Sequence, residues 1–327
     1  MFDDSPSAIP VRLGWMGAAA IALAVAAIPL AALLAQPARG PFSIEESGRS
    51  YANLQQALDA IGNGRGTIVI APGVYRQCAV QEGGIITLRA EQRGTVAFEE
   101  ETCEGKAALV LRGRSANIDG IIFRGMAVED GNGAGIRLEQ GDLTISQSWF
   151  VDSQQGILTA NDPDSAITID KSTFSGLGTC ENSAGCAHSI YTGDYGLLRV
   201  TRSRFERGTG GHYLKTRAAR VEIEGNSFDD AQGRESNYMI DLAAGATGRI
   251  AGNWFVQGRD KENYSAFIAV GPEDNLHPSH GLTIVDNTAR FVPGLSRSSA
   301  FVADWTGHRL VIERNEIAPG IAKYDRR

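Results

Sequence analysis

From residue 113 onward, an alternating phrase of apolar and polar residues keeps returning: "SANIDGIIF", "LTISQSWF", "ITIDKSTF", "LRVTRSRF", "VEIEGNSF", "GRIAGNWF", "LTIVDNTA" and "LVIERNEI". Its first core position is Ile118, Ile145, Ile169, Val200, Ile223, Ile250, Ile284 and Ile312. Five residues on stand Phe123, Phe150, Phe174, Phe205, Phe228, Phe255, Ala289 and Ile317. Alternation with period two predicts strands. Copies separated by 23 to 34 residues predict a solenoid. Three residues after the core aliphatic come Ser148, Ser172, Ser203, Asn226, Asn253, Asn287 and Asn315. Such side chains suit turns, asparagine tolerates left-handed backbone, and stacked asparagine amides bond from layer to layer. The pattern predicts an all-β chain: one parallel β-helix of about nine to ten coils. "SYANLQQALDAIG" reads as an amphipathic helix with Ser50 as N-cap and Gly62 at its end, covering the open first coil.

A second strand precedes each phrase: "GIRLE", "GILTA", "SIYTG", "YLKTR", "MIDLA", "FIAVG" and "FVADW". With Ile136, Ile157, Ile190, Leu214, Ile240, Ile268 and Val302 pointing inward, alternation sends the next residue of each outward. That row reads Arg137, Leu158, Tyr191, Lys215, Asp241, Ala269, Ala303. Two residues further stand Glu139, Ala160, Gly193, Arg217, Ala243, Gly271 and Trp305. With strands roughly 4.8 Å apart, Tyr191, Lys215 and Asp241 should lie side by side with Arg217 next to them. His188 and His212 occupy matching places before their strands and should stack.

The chain has 327 residues, a net charge of −7 and 39 glycines spread along its length. A general nucleic-acid binder is not expected, since it shows a basic footprint. Residues 14–35 form an uncharged apolar run of 22, long enough to span a bilayer. We therefore divide the chain into a flank (1–13), an anchor or signal segment (14–35), a linker (36–48), the β-helix domain (49–321) and a charged tail (322–327). An exported protein of the periplasm or envelope is expected, touching membrane only through its N-terminal segment. Its four cysteines are expected to form two disulfides, Cys180 with Cys186 and Cys78 with Cys103. They lack zinc-site spacing, and no metal site is expected.

The helix before "IVIAPGVY" and the repeated N-x-F turn phrase make residues 50 to 320 resemble the right-handed parallel β-helix, or pectate-lyase-like, superfamily. The phrases "CEGKAALVLRG", "NGAGIR", "HSIYTG" and "GHYLKTRA" also resemble those of exported bacterial β-helix proteins. Lys215-Thr216-Arg217 before "VEIEGNSF" locally resembles the lysine phrase of chondroitinase B and alginate lyases. By that resemblance Lys215 is a general base, and Arg217 grips the substrate carboxylate or serves on the acid side. The family's acidic calcium ligands before the lysine are missing here, where Gly210, Gly211, His212 and Tyr213 stand. No cofactor is expected, and arginine or histidine must take the neutralising role.

Uronic-acid polymers carry a carboxylate next to the proton that leaves in β-elimination. Neutralising that charge and stabilising the enolate makes the proton removable, and lysine, histidine or tyrosine can move it. A lysine acts as base when its neutral amine is favoured by cationic neighbours or burial. Arg217 is such a neighbour, whereas Asp241 works in the opposite direction. The expected function is a lyase or related uronate-active enzyme that acts on an acidic polysaccharide as a monomer. Lys215, Arg217, Tyr191 and His212 are the catalytic candidates; Arg137, His188, Asp241 and Glu273 are the substrate-binding ones. Two other functions fit: a noncatalytic glycan-binding envelope protein, and a glycoside hydrolase using Asp194, Asp241 or Glu273. The charges read otherwise as a solvated face, with a Lys215–Asp241 pair worth less than about 1 kcal/mol.

Overall fold

The computed structural model describes residues 40–183 and 185–327. The apolar run at 14–35 lies outside them, and among the described residues no helix is long and apolar enough to cross a membrane. Three sheets of 12, 10 and 10 strands run the length of the domain. Each coil contributes one strand to each sheet, and beyond the first strands every pairing between coils is parallel. The alternation read from the sequence is seen in the register. Ile136, Ile157, Ile190, Leu214, Ile240, Ile268 and Val302 pair in one row, and all are buried.

Each repeated phrase spans two sheets and the corner between them. Leu143 and Ile145 belong to the strand Asp142–Ser146, and Phe150 to Trp149–Val151. The phenylalanines form an interior column, with ring centroids 4.6–5.1 Å apart from Phe123 to Phe255. Offset stacking of this kind adds to the burial of each ring.

At the corner itself the Ser/Asn positions form a ladder. The Ser203, Asn226 and Asn253 main-chain N–H groups donate to Asn226, Asn253 and Asn287 Oδ1, each at 2.9 Å. Asn226, Asn253 and Asn287 also pass Nδ2 donors to the next amide oxygen at 2.9–3.0 Å. The left-handed backbone falls one residue earlier than expected, at Gln147, Lys171, Arg202, Asp286 and Arg314, with Gly225 and Gly252 in the same place. The ladder residue faces inward, so the exposed residue before it makes the reversal.

The ends differ from the sequence reading. Asn53, not Ser50, caps the helix Leu54–Ile61, its Oδ1 accepting from Gln56 N at 3.0 Å. Ser50 instead lies in a short strand paired antiparallel to Phe42–Ile44, within the stretch read as linker. Leu54, Ala57 and Leu58 bury the helix's apolar face. Residues read as a charged tail form the strand Ile321–Arg326, paired with Ser299–Asp304. Its mostly exposed polar side chains hid a backbone that completes the last coil, a composition typical of protected sheet edges. Both disulfides are present.

Asn253→Ala would strand the buried Asn226 N–H and the Ile223 carbonyl that Asn253 now bonds. Each stranded group costs about 1–3 kcal/mol. The urea midpoint is expected to fall clearly, and an unchanged midpoint would refute the ladder's structural weight.

Candidate functional site

The outward row is built as the alternation predicts: Tyr191 pairs with Lys215, and Lys215 with Asp241. It is not a solvated face. Lys215 is 8% exposed and Asp241 1%, because loops at both corners fold over this stretch. On one side lies the loop closed by Cys180–Cys186; on the other lies the loop at 271–281, which follows the strand Ala266–Val270. These loops fall in the two longest ladder steps, 31 residues from Ser172 to Ser203 and 34 from Asn253 to Asn287.

Between the disulfide loop and the sheet opens a cleft of about 460 Å³, bordered by Lys106, Arg137, Leu158, His188, Tyr191 and Lys215. Its charged lining is three cations against Asp130 alone, in a chain whose net charge is −7. Arg137 lies two strands from Tyr191 in the same row. Its Nε is removed from solvent without a hydrogen-bond partner, and Glu139 is 3.9 Å away. A larger hollow of about 640 Å³ sits against the same disulfide loop, but Asp152, Glu181, Glu235 and Asp260 outnumber its Arg234. That charge balance repels a polyanion, so the smaller cleft is the better candidate.

Lys215 Nζ contacts Glu273 and stands 3.8 Å from Asp241 Oδ2, and it lies 5.2 Å from the Tyr191 ring centroid. Arg217 donates from Nε to Tyr191 OH at 3.1 Å, contacts Glu273, and reaches Asp274 at 2.8 Å. One carboxylate, Glu273, therefore bridges both cations. The histidines are neighbours as expected, ring centroids 4.9 Å apart, but their planes are tilted by 41° and not stacked. The His212 main-chain N–H donates to His188 Nδ1 at 3.0 Å. His212 Nε2 is 3.4 Å from Asp241 Oδ2, and its ring is flanked on the far side by Tyr238.

Burial governs the charge states here. It pushes His188 down to about 3, with help from Lys215. His212 is driven well below the usual histidine range by burial, then by His188 and Lys215. Burial raises Asp241 to about 7 against the pull of Lys215, with Glu273 adding to the rise. Near neutrality the pair of histidines is uncharged and Asp241 is partly protonated. His212 lies behind the cleft and does not line it: it contacts Asp241 and, through its main-chain N–H, the lining residue His188.

The repeat matched in sequence supplies the family. A model described as "Right handed beta helix region" matches residues 107–289. The chain belongs to the right-handed β-helix family. No curated protein matches it in sequence. This β-helix protein is similar in fold to the PL6 family alginate lyase AlyGC, with a TM-score of 0.51 and 13% identity over 77% of the chain. It spans only 36% of that lyase's length. A Geobacillus virus E2 protein, ORF18, gives 0.48 and 14% over 83% of this chain and 55% of its own. A pectin methylesterase from Aspergillus niger gives 0.45 and 13%, covering 75% of this chain and 83% of its own.

Of the eight residues singled out from sequence, Tyr191, His188, His212, Lys215, Arg217, Asp241 and Glu273 converge, while Arg137 stands further along the cleft. Asp274, Tyr238 and Lys106 were missed. Asp274 and Lys106 are placed by loops that alternation does not reach. Tyr238 stands two residues before Ile240, the place of His212 and His188 one and two coils earlier, and the same count would have found it. Asp194, a hydrolase candidate, is engaged by His277 Nε2 at 2.8 Å.

Because Asp241 ionises at higher pH in the folded chain than in the unfolded one, the folded state holds its proton longer. Its contribution to stability is therefore lost as pH rises from about 4 to about 7. The histidines act oppositely, adding stability as pH rises towards 6.5. Asp241→Asn removes only the falling part. Its stability relative to the parent is expected to climb between pH 4 and pH 7 in urea titrations; a constant difference would refute the buried, proton-retaining carboxyl.

Proposed function

We propose that this is an exported carbohydrate-active β-helix protein that cleaves an acidic polysaccharide by β-elimination. The observation that carries the reading is the single carboxylate shared by Lys215 and Arg217 beside the Tyr191 hydroxyl. Two cations converging on one carboxylate are what a uronate site requires. The cleft that continues toward Arg137 and Lys106 offers further positive charge to neighbouring acidic sugars. The likeness to an alginate lyase supports the fold that such chemistry uses and leaves the activity to the site. Two disulfides fit an extracytoplasmic setting.

In this reading Arg217 pairs with the sugar carboxylate and withdraws its charge. Lys215, as the neutral amine, takes the proton from the adjacent carbon. The electron pair left behind forms the new double bond as the glycosidic C–O bond breaks. Tyr191 donates its hydroxyl proton to the departing oxygen, and the protons of Lys215 and Tyr191 are then exchanged with water. Asp241 and His212 stand behind Lys215 without touching the sugar. Arg137, His188 and Lys106 line the path of the chain. The residues present ask for no cofactor in this scheme, since the guanidinium supplies the neutralising charge.

A panel of uronate polymers is the direct test, read by the absorbance of the unsaturated product. Hydrolysis would release reducing ends without it, and a noncatalytic binder would release nothing. Lys215→Ala is expected to abolish turnover, and Tyr191→Phe to lower it by about a hundredfold or more. Arg217→Lys is expected to be costly as well, because a point charge does not reproduce the planar fork. Since Lys215 is buried, each variant's unfolding midpoint must be measured beside its activity.

A further inference from the structure

The loop at 271–281, "GPEDNLHPSHG", is the longest extension of the ladder's spacing, and it reaches backward over earlier coils. The backbone of its acidic half is tied to the preceding coil: Glu273 N and Asp274 N donate to the Ala243 carbonyl at 3.1 and 3.2 Å, and His277 N to the Ala244 carbonyl at 2.9 Å. Its side chains go further. Glu273 meets Lys215 and Arg217, Asp274 meets Arg217, and His277 Nε2 meets Asp194 Oδ1 at 2.8 Å. From the coil of Ala269 to that of Tyr191 is three strand steps, roughly 14 Å. The loop thus crosses the cations of the site and fastens on their far side.

The two acidic side chains are themselves open to solvent. Glu273 and Asp274 side chains are 38% and 48% exposed, whereas the Lys215 side chain beneath is 10% exposed. Because the carboxylate ends face solvent, another anion can approach the same cations and take the place of either carboxylate. Lys215 is rooted in the sheet and partly enclosed. Its carboxylate partner is the replaceable member of the pair.

We propose that the segment 271–281 is a substrate-mimicking strap, whose Glu273 and Asp274 carboxylates hold the anion positions on Lys215 and Arg217 until an acidic glycan displaces them. The proposal rests on the uronate reading of the same site and adds its regulation. The exchange is one of side chains: the backbone bonds to Ala243 and Ala244 stay, while Glu273 and Asp274 rotate away. The His277–Asp194 contact keeps the strap centred over the cations. A glycan carboxylate then pairs with Arg217, and a neutral sugar has no means of competing with the strap. The device therefore selects for charge before any chemistry occurs, because a ligand without a carboxylate leaves Lys215 and Arg217 to Glu273 and Asp274.

Two measurements on the full exported chain separate this proposal from the function it rests on. The first is the rate at which an amine-acetylating reagent labels Lys215, read by mass spectrometry against exposed Lys171 and Lys323. The doubly neutralised variant Glu273→Gln with Asp274→Asn is expected to label roughly tenfold faster at Lys215 alone, with His277→Ala intermediate; unchanged labelling in both overturns the strap. The second is calorimetric binding of galacturonate and mannuronate tetramers. The doubly neutralised variant should bind the preferred tetramer roughly tenfold more tightly than the parent. Equal affinity overturns the strap and leaves the uronate reading intact. Faster labelling with no tetramer bound to any form supports a cover over Lys215 but overturns its being a mimic of uronate, and with it the uronate reading. His277→Ala keeps both carboxylates, so it guards against a double variant that fails to fold.

Discussion

Parallel pairing between coils is the constraint on which everything else depends. Once Ile190 is opposite Leu214, and Leu214 opposite Ile240, every outward side chain has a fixed neighbour on the next coil. The backbone can satisfy its donors and acceptors only by keeping that register. A tyrosine, a lysine and an aspartate widely spaced in sequence are therefore brought within a few ångströms of one another without any loop having to find the others. The inner column of phenylalanines and the Ser/Asn corner ladder hold the same register from inside and from the edge.

The site departs from a plain solenoid face through its cover. Lengthened corners bring the disulfide loop and the acidic strap over one short stretch of sheet, and the stretch loses its water. The electrostatic consequences follow from that loss: two neutral histidines, a carboxyl raised to about 7, and cations that must be matched by nearby carboxylates. The same residues on an open coil would be an ordinary set of hydrated charges, as the Arg199–Glu222 and Arg314–Asp286 pairs are.

Much of this was legible in the sequence wherever side chains follow from period two. The buried row, the neighbours of Lys215 in the sheet and the adjacency of His188 and His212 all came from counting along strands. The helix cap was misread because Ser50 and Asn53 both suit a cap, and only the pairing of Ser50 with the first strand separates them. The tail was misread because its strand is held by backbone bonds while its side chains face water. Glu273 stood out by its chemistry, but its place over Lys215 did not, since a loop has no period to count. The extra length of the Asn253–Asn287 step marked where such a loop had to be, without saying where it went.

The positions of the site along the solenoid also matter for how the molecule opens. In a stacked chain each coil is supported only by its two neighbours, so local opening begins at the ends and moves inward. The strands that carry Tyr191, Lys215 and Asp241 are fifth, sixth and seventh in a sheet of ten, counting from Ala79–Gln81. Fraying of the last coil, or of the helix at the other end, must pass through several intact layers before reaching them. Partial unfolding at either end would thus leave the cluster's geometry standing.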